Sequence, residues 1–372
     1  MGPIPSSHPG RSDRMKPPIP FTLLAVILLS TACEDSTLVG PDPEFRKETA
    51  QTAPPTVVMT RNLYVGANLD VVIAALLSPD PGDDLPALLA AIDNVGKTDF
   101  GTRAQALAEE IASSKPLAVG LQEVSTIEIP TVDGPLVQDF WAILEAALQA
   151  RGLSYDRVAT IVNVDLFVPP VGARLVDQDM LLVHRGARVV SSASGNYAAD
   201  LPLGFTTIRR GWVSADVWVA GKTLKILSTH LESGPGIPGL IRAGQATELT
   251  GMLAGVTGPV IVMGDLNDEP GSATDEILTA NGFIDAWAAV HPGNPGLTCC
   301  HAPDLANTRS AFTQRLDYVF VRGGYTTGSG KLIGGARVDL VGDEPGDKVA
   351  GPSYPIWPSD HAGVVIKLPP AR

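Results

Sequence analysis

The sequence is poor in cysteine, and the few cysteines restrict the kinds of site that it can build. Its 372 residues include three cysteines, of which Cys299 and Cys300 are adjacent and are followed by His301. No second Cys/His pair lies at the spacing of zinc ligands, which argues against a structural zinc site. In an exported protein the adjacent pair forms a vicinal disulfide, cross-links two chains or stays free, and the sequence leaves these alternatives open.

Positive charge is also scarce. The chain has 27 lysines and arginines against 40 aspartates and glutamates, a net charge of −13, and 44% of its residues are hydrophobic, enough for a sizeable core. So acidic a globular protein has no general attraction for nucleic acid or anionic lipid. A phosphate-bearing substrate would therefore have to be held by local basic groups or by metal, and the balance favours a divalent cation.

Long apolar runs are missing as well. The run over residues 21–29 follows Lys16 and is too short to span a bilayer as a helix. The small residues that follow it, up to Cys33, make residues 1–32 resemble a bacterial lipoprotein signal, with Met15 as the better start and Cys33 as the lipidated residue. Ser30 stands where such signals usually carry an aliphatic residue, and an ordinary secretory signal is the alternative.

This resemblance implies a protein that is lipid-anchored in the cell envelope, periplasmic or outward facing, with secretion as the alternative. Residues 33–55 are polar, contain proline and show no periodicity, which is typical of a flexible tether. Residues 56–372 show no break in composition and are expected to form a single domain. No protein partner is implied.

Hydrophobic patterning predicts alternating strands and helices in this domain. A short apolar run, Val260 to Met263, is bounded by Gly258-Pro259 and by Gly264 and predicts a buried strand. Other strands are predicted over residues 56–65, 117–124, 157–164, 180–184, 188–192, 211–219, 224–231, 315–321 and from 363, and helices over 103–114, 136–150 and 240–253. The apolar segment 166–170 is expected to be buried under a sheet, with a substrate- or lipid-facing edge as the alternative.

Polar residues that can take part in catalysis or bind a metal recur where these strands end. They are Asn62, Glu123, His230, Asp265 with Asn267, Asp360 with His361, and Asp317 within its strand. A carboxylate can orient or deprotonate a water molecule, and an amide can donate to a phosphoryl oxygen without repelling it. Each residue also has a structural explanation, such as a surface carboxylate or a hydrogen-bonded core imidazole, so their significance lies in their combination.

In their order, these residues and their neighbours resemble the motifs of the endonuclease/exonuclease/phosphatase superfamily. The matching stretches are Asn62, Leu-Gln-Glu123, Ser-Thr-His230-Leu, Gly-Asp265-Leu-Asn267, Arg-Leu-Asp317-Tyr and Ser-Asp360-His361. The resemblance covers about residues 56–368 and implies a four-layer α/β sandwich, with two face-to-face mixed, mostly antiparallel sheets and flanking helices. It also implies metal-dependent hydrolysis of a phosphate ester, with magnesium as the metal and manganese or calcium as alternatives.

The resemblance implies a metal site built from Glu123, assisted by Asn62 and Asp360. Oxygen ligands of this kind suit a hard divalent cation. Asp179 departs from the motif, which usually has glycine or asparagine at the start of that strand. Asp179 is therefore either an additional metal ligand or a partner for His230, and a strand-capping aspartate is the alternative.

The remaining residues receive catalytic roles by the same resemblance. Asp265 positions and activates the attacking water, and Asn267 holds the scissile phosphate. His361, steadied by Asp317, stabilises or protonates the phosphoryl group, and His230 acts on the phosphate or the leaving group. In-line attack on a phosphate needs a positioned water and donors for the developing charge, which agrees with this set.

The predicted function is a phosphodiesterase with nuclease-like activity on nucleic acid. Sphingomyelinase- or phospholipase C-like activity on a phospholipid head group is the alternative. An inositol phosphate phosphatase ranks third, since the arginines available to hold a polyanion are Arg174, Arg185, Arg209 and Arg210. A catalytically inactive binding module is an alternative of another class, against which the complete residue set argues.

Overall fold

The first strand of the described residues begins at Thr56, where it was predicted. The structure is a computed structural model that describes residues 54–169, 171–204 and 206–372. The predicted signal peptide, Cys33 and residues 33–53 of the predicted tether lie outside these ranges. Among the helices within the ranges, none combines the length and the apolarity that crossing a membrane requires.

The strands are short except for one long hairpin. They are β1 (Thr56–Asn62), β2 (Ala118–Gln122), β3 (Thr126–Ile129), β4 (Leu136–Asp139), β5 (Tyr155–Val168), β6 (Ala173–His184), β7 (Arg188–Asn196), β8 (Leu201–Pro202), β9 (Thr207–Ile208), β10 (Gly211–Val219), β11 (Lys222–His230), β12 (Val260–Asp265), β13 (Ile284–Asp285), β14 (Asp317–Arg322), β15 (Arg337–Val341), β16 (Val349–Ala350), β17 (Pro355–Ile356) and β18 (Gly363–Leu368). The hairpin of β5 and β6 joins segments that were predicted as two separate short strands.

The helices lie mostly between sheet strands. They are α1 (Leu69–Leu77), α2 (Asp84–Thr98), α3 (Phe100–Ser114), α4 (Phe140–Ala150), α5 (Ile237–Leu253), α6 (Ala273–Ala280) and α7 (Ala286–Val290). The helix predicted over 136–150 is wrong for its first four residues, which form β4 instead. The helix starts at Phe140 because the side chain of Asp139 caps it, accepting the backbone N–H of Ala142 at 3.0 Å.

Most strands belong to one of two sheets. The first runs β15-β18-β1-β2-β6-β3-β4, with β5 paired to β6, and the second runs β13-β14-β12-β11-β10-β7. In each sheet one pair is parallel, β1 with β2 and β11 with β12, and the other pairs are antiparallel. The predicted mixed, mostly antiparallel character of both sheets is confirmed.

The two sheets pack face to face, and helices cover their outer faces. Between the sheets lies a core that includes Val58 and Leu181 from the first sheet and Ile226 and Ile261 from the second. A second core joins the outer face of the first sheet to α3 and α4, and a third joins the outer face of the second sheet to α5 and α6. The order helix, sheet, sheet, helix is the predicted four-layer sandwich.

The apolar segment at the end of β5 only partly fits the predicted burial. Val168 is buried beside α1 and α2, but the ring of Phe167 is 58% exposed. The prediction of burial is therefore wrong for Phe167, because successive side chains of a strand point to opposite faces and only one face of this hairpin end is covered.

Candidate active site

The predicted site residues lie at one edge of the sandwich because of how the strands are paired. The parallel strands β1 and β2 end together, with Asn62 opposite Gln122 and Glu123 next in the chain. In the second sheet, His230 and Asp265 are direct partners at the ends of β11 and β12. The antiparallel β14 begins at the same edge with Asp317, paired to Asp265.

Asn62 connects the two sheets at this edge. Its side-chain N–H group donates to Glu123 Oε1 at 3.0 Å and to Asp265 Oδ2 at 3.1 Å. Its Oδ1 accepts the backbone N–H of Tyr64 at 2.9 Å. The resemblance implied a metal ligand here, but in this geometry the amide oxygen is turned to Tyr64 and the amide nitrogen holds two carboxylates in place.

Glu123 is held in an unusual backbone conformation. Its φ of 56° lies in the left-handed region, which residues other than glycine rarely adopt. Such backbone conformations cluster at functional sites. The carboxylate accepts hydrogen bonds from Asn62 and, at 2.8 Å, from the backbone N–H of Val65. Because these contacts fix the half-buried carboxylate at the strand end, it faces the cavity with lone pairs to spare.

Asp265 follows a glycine that the backbone requires. Gly264 has a φ of 144°, and a Cβ there would lie 1.9 Å from the carbonyl oxygen of Thr229. The buried carboxylate of Asp265 accepts the backbone N–H of Asn267 at 2.9 Å. The Asn267 side chain donates to the carbonyl of Leu231 at 3.0 Å and also lines the cavity. The Gly-Asp-x-Asn motif is therefore a rigid turn that presents both side chains.

His361 and Asp317 form a buried pair. Nδ1 of His361 lies 2.8 Å from Asp317 Oδ2, and its Nε2 lies 3.9 Å from Cys300 Sγ on the cavity side. Burial opposes protonation of the imidazole, but the carboxylates of Asp317, Asp265 and Asp360 outweigh it and raise the pKa of His361 well above its usual value. These carboxylates therefore favour the protonated ring, in which Nδ1–H donates to Asp317.

His230 has the opposite character. Both of its ring nitrogens lie 3.2 Å from an N–H group of Arg210, and Nδ1 lies 3.6 Å from Asp179. Burial, followed by the Arg210 charge, lowers the pKa of His230 to about 4. The pKa values of the two imidazoles are thus shifted in opposite directions, which suits His361 for stabilising negative charge and His230 for neutral hydrogen bonding.

The buried neutral state of His230 predicts a loss of stability in mild acid. Since its folded pKa lies below the ordinary 6.5, its contribution is present above pH 6.5 and is lost as the pH falls towards 4. The free energy of unfolding of the wild type, minus that of His230→Gln, is expected to fall by about 2 kcal/mol between pH 7.5 and 5. Urea unfolding at both pH values measures this; a difference that stays constant would refute the assignment.

Several carboxylates are crowded at the metal end of the site. Burial, together with the charge of Glu123, raises the pKa of Asp360 to about 7, and burial also raises the pKa values of Asp177 and Asp179 to about 7. In the described residues neither carboxylate oxygen of Asp179 has a hydrogen-bond partner. An excess of buried negative charge with oxygen donors fits a hard divalent cation, and Glu123 with Asp360 would hold it. Asp179 Oδ1 lies 3.6 Å from Nδ1 of His230, and its role as a partner of His230 or as a ligand stays a prediction.

Two buried arginines position the site and were missed by the motif analysis. Arg61 pairs with Glu110 at 3.0 Å and donates to the backbone carbonyl of His361. Arg103 donates to the carbonyls of Leu63, at 2.5 Å, and Pro358, at 3.0 Å. The sequence could have revealed both arginines, because each stands at a position that the hydrophobic pattern assigns to the core. A buried charged side chain needs specific hydrogen-bond or ion-pair partners.

Arg210 and Glu232 were also missed as a pair. The Arg210 side chain lies 3.5 Å from Glu232, which is buried, and lines the cavity beside His230. Arg174 and Arg185, in contrast, form exposed ion pairs with Asp165 and Asp156. Of the four arginines considered for phosphate binding, Arg210 is thus the one that reaches the site within the described ranges.

The adjacent cysteines lie next to the catalytic edge. Cys299 pairs with the backbone at His361 and at Gln314, and its sulfur lies against that of Cys300. Cys300 and His301 line the cavity. The proximity of the two sulfur atoms agrees with a vicinal disulfide, which stays a prediction.

A cavity of about 320 Å³ opens at this edge. Its lining includes Glu123, His230, Asp265, Asn267, Asp360 and His361, together with aliphatic and polar side chains from α1 and from the β5–β6 and β8–β9 hairpins. Asp317 and Asn62 stand behind this lining and contact it. The predicted residues therefore converge on one cavity, although their individual roles stay predictions.

A family model matches most of this region of the chain. The model is that of the Endonuclease/Exonuclease/phosphatase family, and it covers residues 94–361. The match therefore includes every predicted site residue from Glu123 to His361 and leaves out β1 with Asn62. No curated protein sequence matches the chain.

Solved structures have the same fold at low sequence identity. A family protein from Leptotrichia buccalis C-1013-b is 14% identical with a TM-score of 0.53, and 84% of this chain aligns with 99% of that one. Truncated Caenorhabditis elegans TDP2 is 16% identical with a TM-score of 0.51, and 85% of this chain aligns with 98% of that one. A family protein from Beutenbergia cavernae DSM 12333 is 20% identical with a TM-score of 0.51, and 86% of this chain aligns with 72% of that one. At these identities the likeness concerns the fold.

Proposed function

The chain belongs to the endonuclease/exonuclease/phosphatase family, and on that premise we propose that it is a divalent-metal-dependent phosphodiesterase. Members of this family are mostly hydrolases that act on phosphate esters, which supports a phosphoesterase in general. The observation that carries the finer proposal is the meeting of Glu123, Asp265 and the charged His361 in one cavity. These are the groups that hydrolysis of a phosphodiester requires.

In this proposal each side chain has one task. Asp265, fixed by Asn62 and by the backbone of Asn267, accepts a proton from the attacking water. His361, charged through its contact with Asp317, stabilises the developing negative charge and donates a proton to the leaving oxygen. A divalent cation on Glu123 and Asp360 would supply Lewis acidity and additional positive charge.

The charges around the cavity favour one phosphodiester group over a polyanion. Its acidic lining residues are Asp70, Glu123, Asp177, Asp265 and Asp360, while Arg210 is the arginine in the described lining. Inositol polyphosphates and long nucleic acid strands gain affinity from several basic contacts, which this lining does not supply. Nuclease-like activity stays a prediction, to be tested beside smaller esters.

A substrate panel tests the proposal. Bis-p-nitrophenyl phosphate, plasmid DNA, RNA, sphingomyelin and inositol phosphates are each incubated with magnesium, manganese, calcium or a chelator. We expect at least one phosphodiester to be hydrolysed. The chelator is expected to abolish this hydrolysis, and an added metal is expected to restore it. If no ester is hydrolysed with any metal while the protein is folded, the chain is better explained as a binding module with this fold.

We also propose that Cys33 is lipidated and tethers the enzyme to the cell envelope. The wild type is then expected to partition with membranes or detergent, and Cys33→Ser is expected to move to the soluble fraction. Fractionation and mass spectrometry of the mature N-terminus measure this. A soluble wild type whose N-terminus is another residue would support the secretory alternative instead.

A further inference from the structure

Part of the cavity lining has no task in the proposed reaction. Besides the catalytic groups, the lining includes aliphatic side chains from three parts of the chain, which also contribute the polar lining residues Asn68, Asp70, Asn163, Asp177 and Thr206. We call the aliphatic part of this lining the apolar wall; it consists of Leu69 and Ile73 on α1, Leu166 and Leu175 in the β5–β6 hairpin, and Leu203 and Ile208 at the β8–β9 hairpin. The wall and the catalytic groups therefore border the same continuous space.

The wall differs from the hydrophobic cores in its exposure. Its side chains are half-buried, whereas the members of the three main cores are at most 9% exposed. Aliphatic groups that line a cavity in the folded protein gain stability when a ligand removes them from water. Leu69 and Leu175 pack with part of their surface against the core between the first sheet and helices α3 and α4, and Leu166 packs against Val168 beside α1 and α2. The wall is thus the exposed margin of these cores, and the part of it that lines the cavity is apolar surface that a ligand can cover.

The position of the wall identifies its occupant. A phosphodiester has two ester groups, and when its phosphorus lies among Glu123, Asp265 and His361, an ester substituent extends into the remaining space of the same cavity. The acidic lining at the catalytic end disfavours a further anionic group there. An uncharged, apolar substituent can contact the wall and is not repelled by these carboxylates.

We propose that the substrate is a phosphodiester in which one ester oxygen carries an apolar group of several carbons, bound against the apolar wall. This inference rests on the proposed phosphodiesterase function and narrows its substrate class. The group is held by apolar contact inside the cavity, so that it orients the ester relative to Asp265 and adds affinity that charge does not supply.

Binding of a graded series of esters tests the wall. Dissociation constants of dimethyl, butyl methyl and hexyl methyl phosphate are measured by calorimetry with magnesium present. The affinity is expected to rise about two- to fourfold for each added methylene. An affinity that does not change with chain length would overturn the inference.

Matched variants locate the effect. Ile73→Asn places a polar group in the wall and is expected to remove most of the gain from dimethyl to hexyl methyl phosphate, with the dimethyl ester as internal reference. Val71→Asn is the control, because Val71 lies on the same helix, is 55% exposed and is not part of the cavity lining. Leu203→Asn repeats the test from the opposite side and also serves if Ile73→Asn does not fold. A chain-length gain that survives in a folded wall variant would overturn the assignment.

A separate activity measurement distinguishes failure of the inference from failure of the proposed function. Methyl p-nitrophenyl phosphate has an activated leaving group, and its turnover reports whether the chain hydrolyses phosphodiesters at all. Turnover with no chain-length effect on affinity overturns the wall alone, whereas no turnover of any ester overturns the proposed function.

Two sources supply esters of this chemistry, namely membrane phospholipids and soluble alkyl or aryl phosphodiesters. A short-chain phosphatidylcholine, as monomers and in vesicles, is compared with butyl p-nitrophenyl phosphate and with plasmid DNA. Faster hydrolysis of the vesicles than of DNA, or of the butyl ester than of methyl p-nitrophenyl phosphate, which has the same leaving group, supports the inference and identifies the source. Faster hydrolysis of the DNA phosphodiester than of either would overturn it.

Discussion

Replacing His361 with alanine is expected to lower kcat for a phosphodiester by about 10²–10⁴-fold, the range for loss of a general acid. The imidazole is buried, bonded to Asp317 at 2.8 Å and held protonated by the surrounding carboxylates. Asp317 acts through this ring, since it fixes the tautomer and favours the charged form. Adding Asp317→Ala to His361→Ala is therefore expected to cost little more, because residues that act as a unit lose their joint effect once.

Four proteins, the wild type, both single variants and the double variant, are compared at equal folded fraction. His291→Ala is the control, since His291 is half-buried and its Nε2 lies 2.7 Å from the backbone carbonyl oxygen of Val338, away from the cavity lining. It is expected to lower the melting temperature without lowering kcat. Multiplicative losses in the cycle, or unchanged turnover per folded molecule, would remove the pair from the mechanism.

Glu123→Gln is expected to abolish turnover at ordinary magnesium concentrations. A neutral amide is a poorer ligand for a hard cation than a carboxylate, and the half-buried carboxylate is fixed by Asn62 and Val65. Loss of a principal ligand is expected to weaken metal binding by more than the roughly 10–100-fold typical of an outer-shell partner. Calorimetric titration with magnesium, beside turnover at raised magnesium, measures this.

The matched control is Glu128→Gln, five residues further along the same part of the chain and outside the cavity lining. It is expected to bind magnesium and turn over substrate as the wild type does. Near-ultraviolet circular dichroism verifies that both variants keep the fold. Full activity of Glu123→Gln in the presence of chelator would disprove the assignment of Glu123 as a ligand.

The sandwich was predictable because its strands carry continuous apolar runs and its motifs stand at strand ends. The central strand was predicted from Val260 to Met263 and extends to Asp265 in the structure. Strand ends that share an edge bring their polar residues together, so the convergence of Glu123, His230 and Asp265 also followed from the order of the motifs. Register supplies the remaining detail, since Asp265 faces Asp317 directly.

Features that depend on tertiary contacts were not predictable. The stretch Val71-Val72-Ile73 is β-branched, yet it lies in the helix α1, which Asn68 caps and which packs beside α2 and the β5–β6 hairpin. The contact between Arg61 and His361 joins residues 300 positions apart. The apolar wall likewise comes from two separate hairpins and a helix, so no local sequence pattern predicts it.

Hydrolysis of bis-p-nitrophenyl phosphate by the wild type and by Asp265→Asn, with magnesium, after chelation and after magnesium is restored, decides whether this cavity is a metal-dependent phosphodiesterase site. We expect wild-type turnover that chelator removes and magnesium restores. We expect Asp265→Asn to bind magnesium still but to be slower by about 10²-fold or more. Turnover that chelator does not affect, or an Asp265→Asn variant as active as the wild type, would rule out the proposed mechanism.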